Sequence, residues 1–301
     1  MTNFTIQTDF HLLRLGGQDR LDFLQRQSTN DLRHVAPGHA IATVLTTPAA
    51  RILDVLVVFS LDDETLGIIP LLGKNDHTLT YLKSRIFFMD RVTLEAAPSP
   101  WGQITFPGAA VIPQEIAAHL EGANCAPLAH GGWHFAPQGN AFPAPTLIVP
   151  QGSLPAWQAR LTQHGHTPWD APAWTRWRLE QGIPGAAEWH TAYTPLEVGL
   201  ESLIAANKGC YTGQEIIARQ RAYGKITRHL CRLEAHTPFA SDAPIFTARK
   251  QRVGEVTSAI RLADGRCIGL GVLRKPHPEA QETLFAQDVP ITASVSPFLT
   301  V

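Results

Sequence analysis

Apolar residues alternate with polar ones, or run unbroken for a few positions, along most of this chain, and longer helical periodicities are few. His11 to Leu15 reads as a short strand that Gly16-Gly17 ends. Gln18 to Ser28 reads as a helix, with Leu21, Leu24 and Gln25 on one side, stopped by Thr29-Asn30-Asp31. Ala40 to Thr47, Arg51 to Ser60 and Thr65 to Pro70 predict an antiparallel meander turned at Thr46-Thr47-Pro48 and Asp62-Asp63. A helix over Gly73 to Phe87 and a strand over Arg91 to Ala96 follow.

The stretch from Pro98 to Pro172 is dense in proline, glycine and alanine. Strand-like pieces occur at Gly102 to Phe106, Trp133 to Ala136 and Thr146 to Val149, and helical ones at Gln114 to Leu120 and Leu154 to His164. Asp170 and Pro172 open a tryptophan-bearing helix to Gln181. Past Tyr223-Gly224 the pattern becomes five strands, Ile226 to Leu233, Ile245 to Ala248, Val253 to Ala259, Arg266 to Leu273 and Val289 to Val295, with Asp264-Gly265 as a hairpin turn. These predict an α+β region over 1–224, expected as two interleaved subdomains, and a small β-barrel over 225–301.

Composition narrows this picture. The 301 residues suffice for two or three domains, and 44% hydrophobic with 17% charged residues indicates a globular chain. A formal net charge of −1 gives no bulk attraction to nucleic acid or to anionic membrane. Arg219, Arg221, Lys225, Arg228 and Arg232 form either a local basic patch or a solvated face. The start has no basic segment followed by an apolar one, and no apolar run is long enough to span a bilayer, so a cytoplasmic location is the expectation. Cys125, Cys210, Cys231 and Cys267 form no C-x-x-C pair and the thirteen histidines are scattered, so no metal site is expected.

Candidate chemistry centres on Lys208-Gly209-Cys210-Tyr211-Thr212-Gly213-Gln214-Glu215. Thr212 and Glu215 have capping-box spacing, which would start a helix just after Cys210. The positive helix end and Lys208 would then favour the thiolate, whereas a lone cysteine can equally be a small buried hydrophobe. Asp54 lies within Ile52-Leu53-Asp54-Val55-Leu56, where a carboxylate must be paired, bind something, or point to solvent. Glu180 lies near a helix C-terminus, where the dipole disfavours a carboxylate; it serves a ligand or Arg178, or is a solvated surface residue. Asn30 and Asp31 contact a ligand or cap their turn.

The Lys208 to Glu215 run resembles the signature of the YgfZ-type folate-binding family, relatives of the glycine-cleavage aminomethyltransferase, the T-protein. Leu24-Gln25-Arg26-Gln27-Ser28-Thr29-Asn30-Asp31, Arg178-Leu179-Glu180-x-Gly182, Pro195-Leu196-Glu197 and Gly254-Glu255-Val256-Thr257-Ser258 are similar to further segments of these families. The resemblance implies a three-domain ring around tetrahydrofolate or a derivative, bound by Glu180, Asp54, Asn30, Arg178 and Lys208, with Cys210 and Lys208 as the reactive groups. Asp54-Val55 keeps one carboxylate where T-proteins carry an acidic pair, and Lys208 stands where they carry arginines. These departures point away from ordinary aminomethyl transfer. The implied role is an accessory protein, not an enzyme in the usual sense, that supports iron–sulfur cluster assembly or repair in client enzymes, a tRNA-methylthiolating one among them. The alternative is a folate-dependent one-carbon transferase or demethylase. The implied partners are folate and the client enzymes, with no direct nucleic acid and no membrane.

Overall fold

A computed structural model of the chain describes residues 2–73, 75–113, 116, 120–224, 226–274 and 283–295. In chain order its elements are β1 (Asn3–Phe10), β2 (Leu13–Gly16), α1 (Arg20–Gln27), β3 (Ile41–Thr46), β4 (Ile52–Ser60), β5 (Thr65–Pro70), α2 (Asn75–Ser84), β6 (Thr93–Ala96), β7 (Trp101–Thr105), β8 (Cys125–Pro127), β9 (Trp133–Phe135), β10 (Thr146–Pro150), α3 (Leu154–Gln163), β11 (Thr167–Pro168), α4 (Ala171–Gln181), α5 (Gln214–Ala222), β12 (Arg228–Ala235), β13 (Pro244–Thr247), β14 (Arg252–Arg261), β15 (Cys267–Arg274), β16 (Leu284–Ala286) and β17 (Val289–Val295). They fall into two compact units. The first comprises Met1–Thr47, Leu53–Ala171 and Leu203–Thr212; the second comprises Pro48–Ile52, Pro172–Ser202 and Gly213–Val301.

The first unit holds a five-stranded sheet, ordered β3-β4-β5-β2-β6, and a six-stranded one, ordered β11-β1-β7-β10-β9-β8. The expected meander over β3, β4 and β5 is present. Strand β4, flanked by β3 and β5, is buried along nearly its whole length, which is why its sequence reads as a continuous apolar run. Leu56 and Val58 join Leu13, Leu15, Phe23 and Leu24 in one core. Phe59, of opposite parity, meets Trp133 and Phe135 of the six-stranded sheet at ring-centroid distances of 5.1 and 5.2 Å. Gly17 ends β2 in a left-handed conformation (φ 99°), and a Cβ there would meet the Arg91 carbonyl at 2.2 Å.

The second unit closes β12-β15-β14-β13-β16-β17 into a barrel. Leu233, Ile245, Val256 and Leu273 fill its core, and β14 turns into β15 around Asp264-Gly265 as expected. Strand β16 was not anticipated, nor were β1, β8 and β11. The last two are only three and two residues long, too short for an alternation to register. The expected helix over Gln114 to Leu120 and the basic candidate Lys225 lie outside the described residues.

Candidate functional site

The signature segment is pinned along α1 and the turn that follows it. Thr29 Oγ1 donates to the Leu203 carbonyl at 2.7 Å, and the Ala205 N–H donates to the Thr29 carbonyl at 3.1 Å. At the other end the Thr212 N–H donates to the Arg26 carbonyl at 3.2 Å, and Thr46 Oγ1 donates to the Thr212 carbonyl at 2.7 Å. Between these anchors Lys208 Nζ reaches the carbonyls of Gln25, Ser28 and Asn30 at 2.8, 2.7 and 2.6 Å. Those carbonyls belong to the C-terminal end of α1 and the residues just beyond it. The lysine therefore caps a helix end, where a cation also meets the negative pole of the dipole. Its ammonium stands 5.0 Å from the centre of the Tyr211 ring. Burial pushes its pKa down to about 8, the Asp31 carboxylate opposes that shift and Arg33 adds to it.

All three N–H donors of Lys208 are thus committed to the chain's own backbone. Asn30 is equally engaged: Nδ2 donates to the Ala42 carbonyl at 2.7 Å, and Oδ1 accepts from the Asp31 N–H at 2.9 Å. Asp31 accepts from the Arg33 backbone N–H and side chain, which hold its carboxyl well below the usual carboxylate range. The fold brings Asn30 and Lys208 together as partners in one backbone knot.

Cys210 and Gly209 emerge from this knot exposed, whereas Cys125, Cys231 and Cys267 are buried. A Cβ at Gly209 would meet nothing within 4 Å, so the space beside the thiol is open. The expected Thr212–Glu215 capping box is not formed. Gly213 takes the cap position of α5 in a left-handed conformation (φ 87°) with no side-chain cap bond, and Glu215 pairs instead with Arg219 at 2.7 Å. An i, i+4 ion pair along the helix has captured the carboxylate that a capping box would have needed.

Asp54 is fully buried, which removes the solvent-facing explanation. Its Oδ1 accepts from the N–H groups of Val55 (2.8 Å) and Leu72 (3.2 Å), and its Oδ2 accepts from Thr78 Oγ1 of α2 at 2.5 Å. Burial raises its pKa to about 6, and these hydrogen bonds restrain the rise.

In the second unit Arg178 and Glu180 part company. Glu180 is partly exposed and accepts from Arg176 Nε at 2.7 Å, one turn back along α4. Arg178 turns inward. Nη1 donates to Glu188 Oε2 (3.0 Å) and to the Ile183 carbonyl (2.8 Å), and Nη2 donates to Ser258 Oγ (2.9 Å). Glu188, fully buried, also accepts from the Gly185 N–H and from the hydroxyls of Thr257 and Ser258. The carboxylate that serves Arg178 is therefore Glu188, which the sequence reading missed. Nothing around Ala186-Ala187-Glu188 marks it locally; the clue lay in Thr257-Ser258, two hydroxyls adjacent on a barrel strand. Among the described residues no group of three or more His, Cys, Asp or Glu is placed to hold a metal ion. No helix there is long and apolar enough to cross a membrane.

The two-sheet unit, the closed barrel and the pinned signature segment together define the fold of the glycine-cleavage aminomethyltransferase. The glycine cleavage system aminomethyltransferase T from Bartonella henselae superposes with a TM-score of 0.79 at 17% identity, over 99% of this chain and 86% of that one. A chloroplastic protein of Arabidopsis thaliana named as a transferase is 28% identical over 96% of this chain and 69% of its own length. An aminomethyltransferase of Chlorobium phaeovibrioides is 25% identical over 80% of this chain and 70% of its own. A tRNA-modifying protein YgfZ of an Enterobacter species is 30% identical over 41% of this chain and 40% of its own. No protein-family model matches the chain. Relatives of both kinds implied by the signature are thus found, and the resemblance read from it stands.

Proposed function

We propose that this protein binds tetrahydrofolate or a derivative and supports assembly or repair of iron–sulfur clusters in client enzymes, tRNA-modifying ones included, through the thiol of Cys210. The observation that carries this reading is an exposed cysteine on a segment whose backbone is fixed at both ends and by Lys208 between them. A thiol held this way meets a partner without first paying to order its own loop. One cysteine cannot hold a cluster alone, so the client supplies the remaining ligands.

Glu180 fits a pterin edge. Its carboxylate is accessible, and its Arg176 partner is exposed enough to swing aside for two parallel N–H donors. Folate, when bound, supplies a carrier for one-carbon units. Lys208 and Arg178 act in support, since both spend their donors on the chain itself. Titration with tetrahydrofolate tests the first half: saturable binding at tens of micromolar is expected, weakened at least tenfold in Glu180→Ala. Complementation of a deletion strain tests the second half, with Cys210→Ala failing to restore iron–sulfur enzyme activity while still binding folate.

A second reading, a folate-dependent one-carbon transferase or demethylase, is favoured by Asp54. A buried carboxyl whose pKa lies near 6 changes protonation close to neutrality and suits acid–base work. Formaldehyde or methylene-tetrahydrofolate released from an amine donor would select this reading.

A further inference from the structure

Three large apolar side chains stand together in solvent on the first unit. The helix expected through Phe87 ends at Ser84, and Ile86 still packs against the core. Phe87, Phe88 and Met89 then follow at 57, 86 and 70% exposure. Their turn is closed, not loose. The Asp90 N–H donates to the Phe87 carbonyl at 2.9 Å, and the Asp90 carboxylate accepts from the Phe87 N–H at 2.9 Å. Phe88 and Met89 are thus the central residues of a tight turn, where glycine, proline, asparagine and aspartate are the usual occupants. The fold gains nothing from apolar side chains at this tip, and leaving them wet forfeits their burial.

Arg26 ties this turn to the signature segment. Its Nη2 donates to Asp90 Oδ1 at 2.6 Å, and its carbonyl accepts from the Thr212 N–H at 3.2 Å, two residues past the exposed Cys210. The apolar turn and the segment that carries the thiol therefore share one residue of α1. Lys83 and Arg85 are exposed just before the turn, with no carboxylate partner among the described residues; Arg85 lies over the Tyr81 ring.

We infer that the turn of Phe87, Phe88 and Met89 is a docking surface for the client protein that Cys210 serves, and that the client meets it with an apolar pocket rimmed by acidic residues. The inference rests on the proposed role of Cys210 and adds where the client sits. Area argues against a second copy of this chain. At about 200 Å² per aromatic residue, side chains so exposed offer on the order of 400 Å², against about 800 Å² per partner in a stable interface. A client that reaches from the turn past Arg26 to Cys210 covers more than the patch alone. The closed turn presents its side chains already ordered, and Lys83 and Arg85 steer the acidic rim toward it.

The test compares the parent with the double variant Phe88→Ser, Met89→Ser and with Val111→Ser, which removes an exposed apolar side chain elsewhere in the unit. Biolayer interferometry with a purified, cluster-bearing tRNA-methylthiolating enzyme is expected to show saturable micromolar binding by the parent and by Val111→Ser, weakened at least about tenfold in the double variant. The double variant should keep the parent's thermal midpoint and its iodoacetamide adduct at Cys210. No saturable binding by the parent, or equal binding by the double variant, would overturn the surface. A parent dimer in sedimentation equilibrium that the double variant lacks would assign the turn to a second copy. Pelleting with phosphatidylglycerol vesicles that the double variant loses would assign it to a membrane. Either result overturns the inference. Complementation keeps the two claims apart. A double variant that restores iron–sulfur enzyme activity where Cys210→Ala does not overturns the docking surface and leaves the thiol reading standing. Full activity in Cys210→Ala overturns the thiol reading, and the binding comparison then decides the surface.

Discussion

The Lys208 ammonium donates to the Ser28 carbonyl at 2.7 Å across 180 positions of sequence. Two bonds on either side, to Gln25 and Asn30, make the lysine the cap of α1 and the clamp of the signature segment at once. One side chain thereby ties the segment that carries Cys210 to the Thr29-Asn30-Asp31 turn.

Replacing Lys208 by methionine keeps the stem but strands three carbonyls, Ser28's among them in a fully buried residue. A loss of about 2–3 kcal/mol is expected, since charged hydrogen bonds are the stronger kind and a buried acceptor left bare carries a further cost. Lys208→Arg should not rescue it, because a planar fork cannot aim donors at three carbonyls around one point. Amide hydrogen exchange at Ser28 and Thr29 reads the effect locally. Unchanged protection there in Lys208→Met would mean the clamp has no structural weight.

Asp54 gives the fold a definite pH dependence. Its folded pKa is about 6 against an ordinary value of 3.8, so the folded state binds its proton first as pH falls. The contribution is fully present below the unfolded pKa and is lost as pH rises through about 6. At 1.36 kcal/mol per unit it amounts to about 3 kcal/mol. Asp54→Asn mimics the protonated carboxyl: Oδ1 still accepts from Val55 and Leu72, and the amide donates to Thr78. The asparagine variant should be the more stable protein at pH 7.5 and show a flatter denaturation midpoint between pH 4 and 7. A wild-type midpoint that rises with pH across this window would refute the account.

The meander, the α1 turn and five of the six barrel strands were legible because each has a period or a turn residue of its own. The signature segment was legible as a motif but not as geometry. Lys208 is written beside Cys210, yet its donors go to residues 178 to 183 positions away, and no local pattern encodes that. The capping box failed for the complementary reason. Local spacing offered Glu215 two equally near partners, and Arg219 captured it. Arg178 misled similarly, since its neighbour Glu180 was the obvious carboxylate and the buried Glu188 the real one.

That buried pair supports a sharp prediction. Glu188 accepts four hydrogen bonds and is fully buried, and the Arg178 side chain is only 12% exposed. Glu188→Ala leaves a guanidinium and two hydroxyls facing a hole, and a loss of at least about 3 kcal/mol is expected. The double variant Arg178→Leu, Glu188→Leu should recover part of it, because the uncompensated charge is then gone. Thermal unfolding of the parent, Glu188→Ala and the double variant decides the point; a double variant no more stable than Glu188→Ala would show that the pair does not act as a unit.

Cysteine chemistry offers the most direct check on the proposed thiol. Burial pushes Cys125 up to about 11 and Cys231 up to about 12, so both are protonated near neutrality as well as shielded. Cys267 is also buried, and its thiol donates to the Phe239 carbonyl. The thiolate is the nucleophile in alkylation, and access is required as well, so the native protein should take a single adduct from iodoacetamide, at Cys210. Cys210→Ala should take none until the chain is unfolded, when the other three react. Intact-mass spectrometry with peptide mapping reads both results. A second adduct on the folded protein would mean that one of the buried cysteines opens to solvent. Lys208→Met should change the rate at Cys210 without adding a site, because the clamp fixes the segment that carries the thiol while the other three cysteines keep their own cover.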